Sequence, residues 1–116
     1  MEGMRKRIYI SGPISLGDRI ENLNQAMVAQ RELMRRGFAP LNPMLSMLLP
    51  FAWDGEFQHG CWMAADIPWV AVADAVLRLP GRSVGADEEV QAAVRAGVPV
   101  FYSLAALESW AENFGV

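Results

Sequence analysis

Three carboxylates in this chain stand at borders between apolar runs: Asp66 before a helical stretch, Asp74 at the start of a strand-like run, and Glu89 in the first turn of the helix after it. Glu89 closes the segment Leu79-Pro80-Gly81-Arg82-Ser83-Val84-Gly85-Ala86-Asp87-Glu88-Glu89, where an apolar run breaks at a Pro-Gly turn and delivers acids onto a helix start. In open α/β sheets ligands bind where strands hand over to helices in this way. Paired carboxylates near an aromatic hydroxyl suit attack at an anomeric carbon, one acid as nucleophile and the other managing the leaving-group proton. Gly81 and Gly85 permit tight backbone paths, and Ser83 offers a hydroxyl that caps the helix or hydrogen-bonds a substrate. The plainer role of Asp87, Glu88 and Glu89 is electrostatic, since an acid near a helix N-terminus gains about 0.3–1 kcal/mol from the macrodipole.

Other chemistries fit poorly. The first strand ends Tyr9-Ile10-Ser11-Gly12-Pro13-Ile14-Ser15, a small-residue loop whose backbone N–H groups suit an anion or a sugar hydroxyl. It lacks the GxGxxG spacing of a dinucleotide site and the GK[ST] ending of a P-loop. His59 is the sole histidine and Cys61 the sole cysteine, so no HxH, HExxH or CxxC metal pair exists, and neither a metal nor another cofactor is expected. A Ser/His/Asp triad would need His59, yet the chain has no GxSxG elbow. His59 reads as a surface or loop residue.

The elements that must position these groups follow from periodicity. Arg7 to Ser11 reads as a first strand. Ile20 to Arg36 has helical spacing through Leu23, Met27 and Leu33, with Gly37 as its stop. Phe38 to Leu41 reads as a second strand. The segment from Asn42 to about Phe57 is broken by Pro50 and Gly55, and its Met44, Leu45, Met47, Leu48, Leu49, Phe51 and Trp53 are too apolar for a solvated loop. They are expected to pack over a site, into a partner subunit, or as a short helix on the chain's own core. Gly60 to Ala65 is expected to be helical, with a restart at Asp66-Ile67-Pro68-Trp69 capped by Asp66 and running to about Val72. A strand from Asp74 to Leu79, a helix from Ala86 to Ala96, a strand from Val98 to Tyr102 and a helix from Leu104 to Glu112 complete the order. That alternation argues a parallel sheet flanked by helices.

With 116 residues, 53% of them hydrophobic, the chain is sized for one domain spanning residues 1–116. Its net charge of −3 comes from 13 acids and 10 bases spread along the length, which gives no footprint for a nucleic acid polymer or an anionic membrane. The basic start, Met1 to Arg7, is followed only by Ile8-Tyr9-Ile10, too short for a signal peptide, and no run approaches the ~20 apolar residues that span a bilayer. A single cysteine excludes an internal disulfide framework and fits a reducing, cytoplasmic setting. Cys61 is expected to be a small buried apolar residue.

Four segments, in order, resemble the nucleoside 2-deoxyribosyltransferases and the related deoxynucleoside 5'-monophosphate N-glycosidases, most closely their small bacterial and phage members: Ile8-Tyr9-Ile10-Ser11-Gly12-Pro13-Ile14, Gly37-Phe38-Ala39-Pro40-Leu41-Asn42-Pro43, Asp66-Ile67-Pro68-Trp69-Val70-Ala71-Val72-Ala73-Asp74-Ala75, and Ser83 through Gly97. The resemblance implies a flavodoxin-like, Rossmann-like three-layer fold with a parallel sheet of about four to five strands. It implies a covalent ribosyl intermediate on Glu89, with Tyr9 orienting that nucleophile and Asp66 handling the proton at the base nitrogen. It places Ser11, Gly12, Pro13, Ile14, Asn42, Ser83 and Gly85 at the substrate, a small nucleoside or nucleotide. It further implies a homodimer or higher even oligomer with a shared active site, which gives the apolar segment 44–53 a reason to exist. A helix N-terminus would keep Glu89 ionised, and burial beneath Trp62 or Trp69 would raise the Asp66 carboxyl for its task.

The chain also departs from the pattern. The phosphate-binding members carry a serine and an arginine after the first-strand glycine, whereas this chain has Pro13 and Ser15 around Ile14; Arg19 or Arg82 would have to substitute. The base-binding region falls in 42–60, where similarity is lowest. Besides N-glycosidic cleavage or transfer, two readings keep the fold: a catalytically inactive nucleotide-binding or sensing protein, and a scaffold whose acids only cap helices.

Overall fold

The computed structural model describes residues 4–113. Four parallel strands, β1 (Arg7–Ser11), β2 (Ala39–Leu41), β3 (Ala75–Arg78) and β4 (Val100–Phe101), form one sheet in the order β2-β1-β3-β4. Four helices, α1 (Arg19–Arg35), α2 (His59–Val72), α3 (Val84–Ala96) and α4 (Leu104–Asn113), cover its two faces. This is the three-layer, flavodoxin-like arrangement that the alternation and the resemblance implied, with four strands.

The layering follows from strand alternation, because successive side chains point to opposite faces. Ile8 and Ile10 of β1 and Ala75 and Leu77 of β3 enter one apolar cluster with Ala26, Ala29 and Leu33 of α1 and Leu107 and Ala111 of α4. Tyr9 and Val76 point the other way, packing with Val70 of α2 and Ala92 and Ala93 of α3. From β1 the chain crosses to β2 at one edge and then returns past β1 to β3. The crevice beyond the carboxyl ends of β1 and β3 is therefore the topological switch point of the sheet.

Local chemistry sets the element ends. Asp18 caps α1, its Oδ1 accepting from the backbone N–H of Ile20 at 2.9 Å and of Glu21 at 3.1 Å. Ser83 caps α3 by accepting from Ala86 N–H at 3.0 Å. Between β3 and α3, Gly81 holds φ at 115°, and a Cβ there would lie 2.8 Å from Cγ of Pro13. Only glycine lets the two loops that follow the central strands meet so closely.

Several expectations are corrected. α2 runs unbroken from His59 to Val72 with Pro68 inside it, so Asp66 is a mid-helix residue and caps nothing. Proline costs the helix one hydrogen bond there, and the flanking Met63 and Val70 are anchored by burial. The strands around Asp74 and Val98 begin later than their apolar runs suggest, at Ala75 and Val100. Residues 43–52 form two 3-10 segments, Pro43–Leu48 and Pro50–Ala52, of which Met44 and Met47 join the core while Leu48, Leu49 and Trp53 stay exposed. Cys61 is exposed, because it lies on the side of α2 away from the packed Met63. No helix among the described residues is long and apolar enough to cross a membrane.

Candidate active site

β1 contributes Tyr9 and Ser11 to the α2/α3 face, two residues apart and thus on the same side of the strand. Both donate into Glu89 of α3: Tyr9 Oη to Oε2 at 2.5 Å and Ser11 Oγ to Oε1 at 2.7 Å. Each carboxylate oxygen thereby receives one hydroxyl, and Glu89 itself is only 6% exposed. Among the described residues, no buried side-chain nitrogen or oxygen lacks a hydrogen-bond partner.

Glu89 lies at the wall of a cavity of about 610 Å³ at the switch point. α2 supplies the facing wall. His59, Trp62, Met63 and Asp66 follow the i, i+3, i+4, i+7 spacing that puts side chains on one helix face, and all four line the cavity. Gly85 of α3 faces that wall, where a Cβ would make ordinary van der Waals contact, 3.4 Å from Sδ of Met63 and 3.6 Å from Cε1 of His59. The irregular segment closes the rim: Trp53 donates to Met47 O at 2.7 Å, the Arg19 guanidinium lies 4.5 Å above the Trp53 ring, and Phe51 and Phe57 pack on Trp62.

The electrostatics of the two acids differ from the sequence-based expectation in one respect. Burial pushes the Asp66 carboxyl up to about 6, as its proposed task requires. Burial also raises Glu89, and Asp66 adds to the rise, while hydrogen bonds from Tyr9 and Ser11 and the charge of Arg78 pull it back down. The helix N-terminus does not decide its charge. Glu89 is the sixth residue of α3, beyond the first turn to which the macrodipole reaches. The Tyr9 phenol is driven far above its ordinary range, first by burial and then by Glu89, so it stays a proton donor.

Residues 6–102 match the profile of a family described as Domain of unknown function (DUF4406). The chain belongs to this family. No curated protein matches it. Among solved structures, the chain is similar to a 2-deoxyribosyltransferase of the psychrotolerant bacterium Bacillus psychrosaccharolyticus, at 23% identity and a TM-score of 0.63, over 81% of this chain and 69% of that one. At that identity the likeness shows the shared fold, and it agrees with the resemblance carried by the four sequence segments.

Within this DUF4406 chain, the structure brings most of the sequence-selected residues together. Tyr9 and Ser11 hold Glu89, and Gly12, Ile14, Asp66, Ser83, Gly85 and Glu89 line one cavity. Pro13 turns instead toward Gly81. Asn42 is occupied elsewhere: its Oδ1 caps the 3-10 segment at Met44 N–H, 3.1 Å away, and its Nδ2 donates to Gln30 Oε1 at 3.2 Å. Asp74 sits at the amino end of β3, accepting from the Arg7 backbone N–H at 2.7 Å and so removed from the crevice. Of the two arginines considered for an anion, Arg19 lines the cavity and Arg82 is exposed outside its lining. Asp87 stays in the first turn of α3, whereas Glu88 reaches back to His59, 3.1 Å away.

Sequence reasoning missed Arg78 and the His59–Glu88 pair, while Trp53, one of the apolar residues expected to pack over a site, does line the cavity. Arg78 had a visible signal, a lone cation inside the apolar run Ala75-Val76-Leu77-Arg78-Leu79. The His59–Glu88 pair depends on segments meeting through space and left no local trace.

Proposed function

We propose that this chain cleaves or transfers the N-glycosidic bond of a (deoxy)nucleoside or nucleoside monophosphate through a covalent ribosyl intermediate on Glu89. The observation that carries the reading is that Glu89, held by the hydroxyls of Tyr9 and Ser11, shares one cavity at the switch point with a second carboxyl raised by burial, Asp66. As the bond to the base lengthens, C1' gains oxocarbenium character that an ionised Glu89 stabilises. A Glu89 oxygen bonds to C1', the C1'–N bond breaks with its electron pair going to the base, and Asp66 gives its proton to the base nitrogen. Water or a second base then attacks C1', Asp66 takes up the proton released, and the Glu89 carboxylate leaves. A carboxyl titrating near 6 is suited to both proton transfers.

The fold likeness to a 2-deoxyribosyltransferase supports the reading at the level of nucleoside chemistry. The exposed apolar rim at Leu48, Leu49, Phe51 and Trp53 supports a homodimer or higher even oligomer that completes the site. The free, exposed thiol of Cys61 suits a reducing cytoplasm. One observation favours binding without chemistry: burial pushes Glu89 toward its protonated form, which donates a hydrogen bond but does not attack.

Incubation with a panel of deoxynucleosides and their monophosphates, with and without an acceptor base, separates the two. Base release or exchange that falls on the order of 10³-fold or more in Glu89→Gln is the expected result. If no member of the panel gives Glu89-dependent release, the catalytic reading fails. A nucleoside-induced rise in melting temperature that survives in Glu89→Gln would then leave the binding protein.

A further inference from the structure

Arg78 ends β3 in register with Ser11, on the sheet face that carries Tyr9 and Ser11. It is 9% exposed, an unusual place for an arginine unless its donors are all engaged. They are directed to three places. Its guanidinium donates to the carbonyl of Leu79, to the carbonyl of Gly81 at 2.9 Å, and to Oδ1 of Asp87 at 3.2 Å. One side chain thus fastens the end of β3, the turn that follows it and the first turn of α3. Those are the pieces that fix where Glu89 emerges, one half-turn after Asp87.

We propose that Arg78 is a positioning residue for Glu89, holding the β3–α3 turn in the geometry that presents the carboxylate to Tyr9 and Ser11 at the buried end of the cavity. This inference takes its catalytic consequence from the proposed role of Glu89. The groups facing Glu89 are Tyr9 and Ser11 from β1, Asp66 from α2 and Arg78 from β3; on its own helix, Asp87 turns to Arg78 and Glu88 to His59. Tyr9 and Ser11 are neutral donors and Asp66 is an acid. Burial holds Glu89 above its ordinary range; the hydrogen bonds from Tyr9 and Ser11 oppose that rise first, and the positive charge of Arg78 adds to them. Asp87 neutralises that charge only weakly, since its side chain is 67% exposed and its pairing is screened by solvent.

The test is a carboxyl-carbon NMR titration of Glu89 in the full chain, which needs no turnover. In Arg78→Met the Glu89 midpoint is expected to rise, and in Arg78→Lys to rise by less than half as much. Arg95→Gln, which removes an exposed cation from the far end of α3, is the control and leaves the midpoint in place. Where activity is measured, Arg78→Met shifts the acidic limb of the kcat profile upward with little change in KM, so that raising the pH restores rate, which a merely loosened fold would not do. Should Arg78→Met fail to fold, Arg78→Gln retains a donor for the turn carbonyls while removing the charge, and the same rise is expected. A folded Met or Gln variant with an unchanged Glu89 midpoint overturns the proposal, as does an Arg78→Lys shift equal to that of the neutral variant. If the panel shows no glycosidic activity, the titration still decides whether Arg78 governs Glu89.

Discussion

The two faces of the sheet use the same strands for different ends. On the α1/α4 face, β1 and β3 present Ile8, Ile10, Ala75 and Leu77, which enter one apolar cluster. On the α2/α3 face the same strands begin apolar, with Val76 beside Tyr9, and end polar at Ser11 and Arg78. The apolar packing and the candidate site are thereby divided by the alternation of side chains along each strand. The apolar face needs only burial, worth about 25 cal/mol per Å². The polar end of the other face must satisfy each buried donor and acceptor, and it does so by converging on Glu89 and on the turn beyond β3.

That division is breakable. The largest expected effect is on the apolar face: Leu77→Ala removes a side chain 2% exposed and should cost about 2–5 kcal/mol in denaturant unfolding. If the division holds, the folded variant keeps the wild-type Glu89 midpoint and, well below its melting temperature, the wild-type kcat. A Leu77→Ala protein with normal stability and a displaced Glu89 midpoint would show the faces to be coupled.

Tyr9→Phe sharpens the polar side. It leaves Oε2 of the buried Glu89 without its donor, so a loss of about 1–3 kcal/mol is expected in the same unfolding experiment, together with an upward move of the Glu89 midpoint. Loss of stability alone, with the midpoint unmoved, would mark Tyr9 as packing only.

The smallest effect concerns Asp66 and is one of sign. Its folded carboxyl titrates near 6, above the ordinary 3.8, so between those values the folded state binds more protons than the unfolded state. The Asp66 contribution is then fully present below about pH 4 and is lost as the pH rises through 6. Asp66→Asn has no such charge to bury. Its melting temperature relative to wild type should rise from pH 4 to pH 7, and a flat difference over that range would show that Asp66 is not desolvated in the folded protein.

How far the sequence was legible depended on the range of the forces involved. The strands and helices were readable because alternation and helical spacing are local, and the ends of α1 and α3 carried their caps in Asp18 and Ser83. Asp66 was misread as a helix start because Asp-x-Pro is a sound local signal; burial of Met63 and Val70 on either side overrode it. Asn42 had a polar side chain beside a predicted loop and nothing to reveal that Met44 and Gln30 would use it. Segment 43–57 was legible only as apolar chain in need of cover; how its residues divide between core, rim and solvent no local pattern records.

By itself, the sequence determined the order of elements, the parallel α/β class and the small set of acids able to do carboxylate chemistry, because these rest on residue type and on periods of two and 3.6 residues. Only the tertiary structure decided which of these acids come together. Asp74 was carried to the wrong end of the sheet, Asp87 was drawn to Arg78, and Glu89 was brought against Tyr9 and Ser11, some eighty residues away along the chain. The same folding set the charges. A carboxyl loses its water only when other elements close over it, and no local stretch records that event.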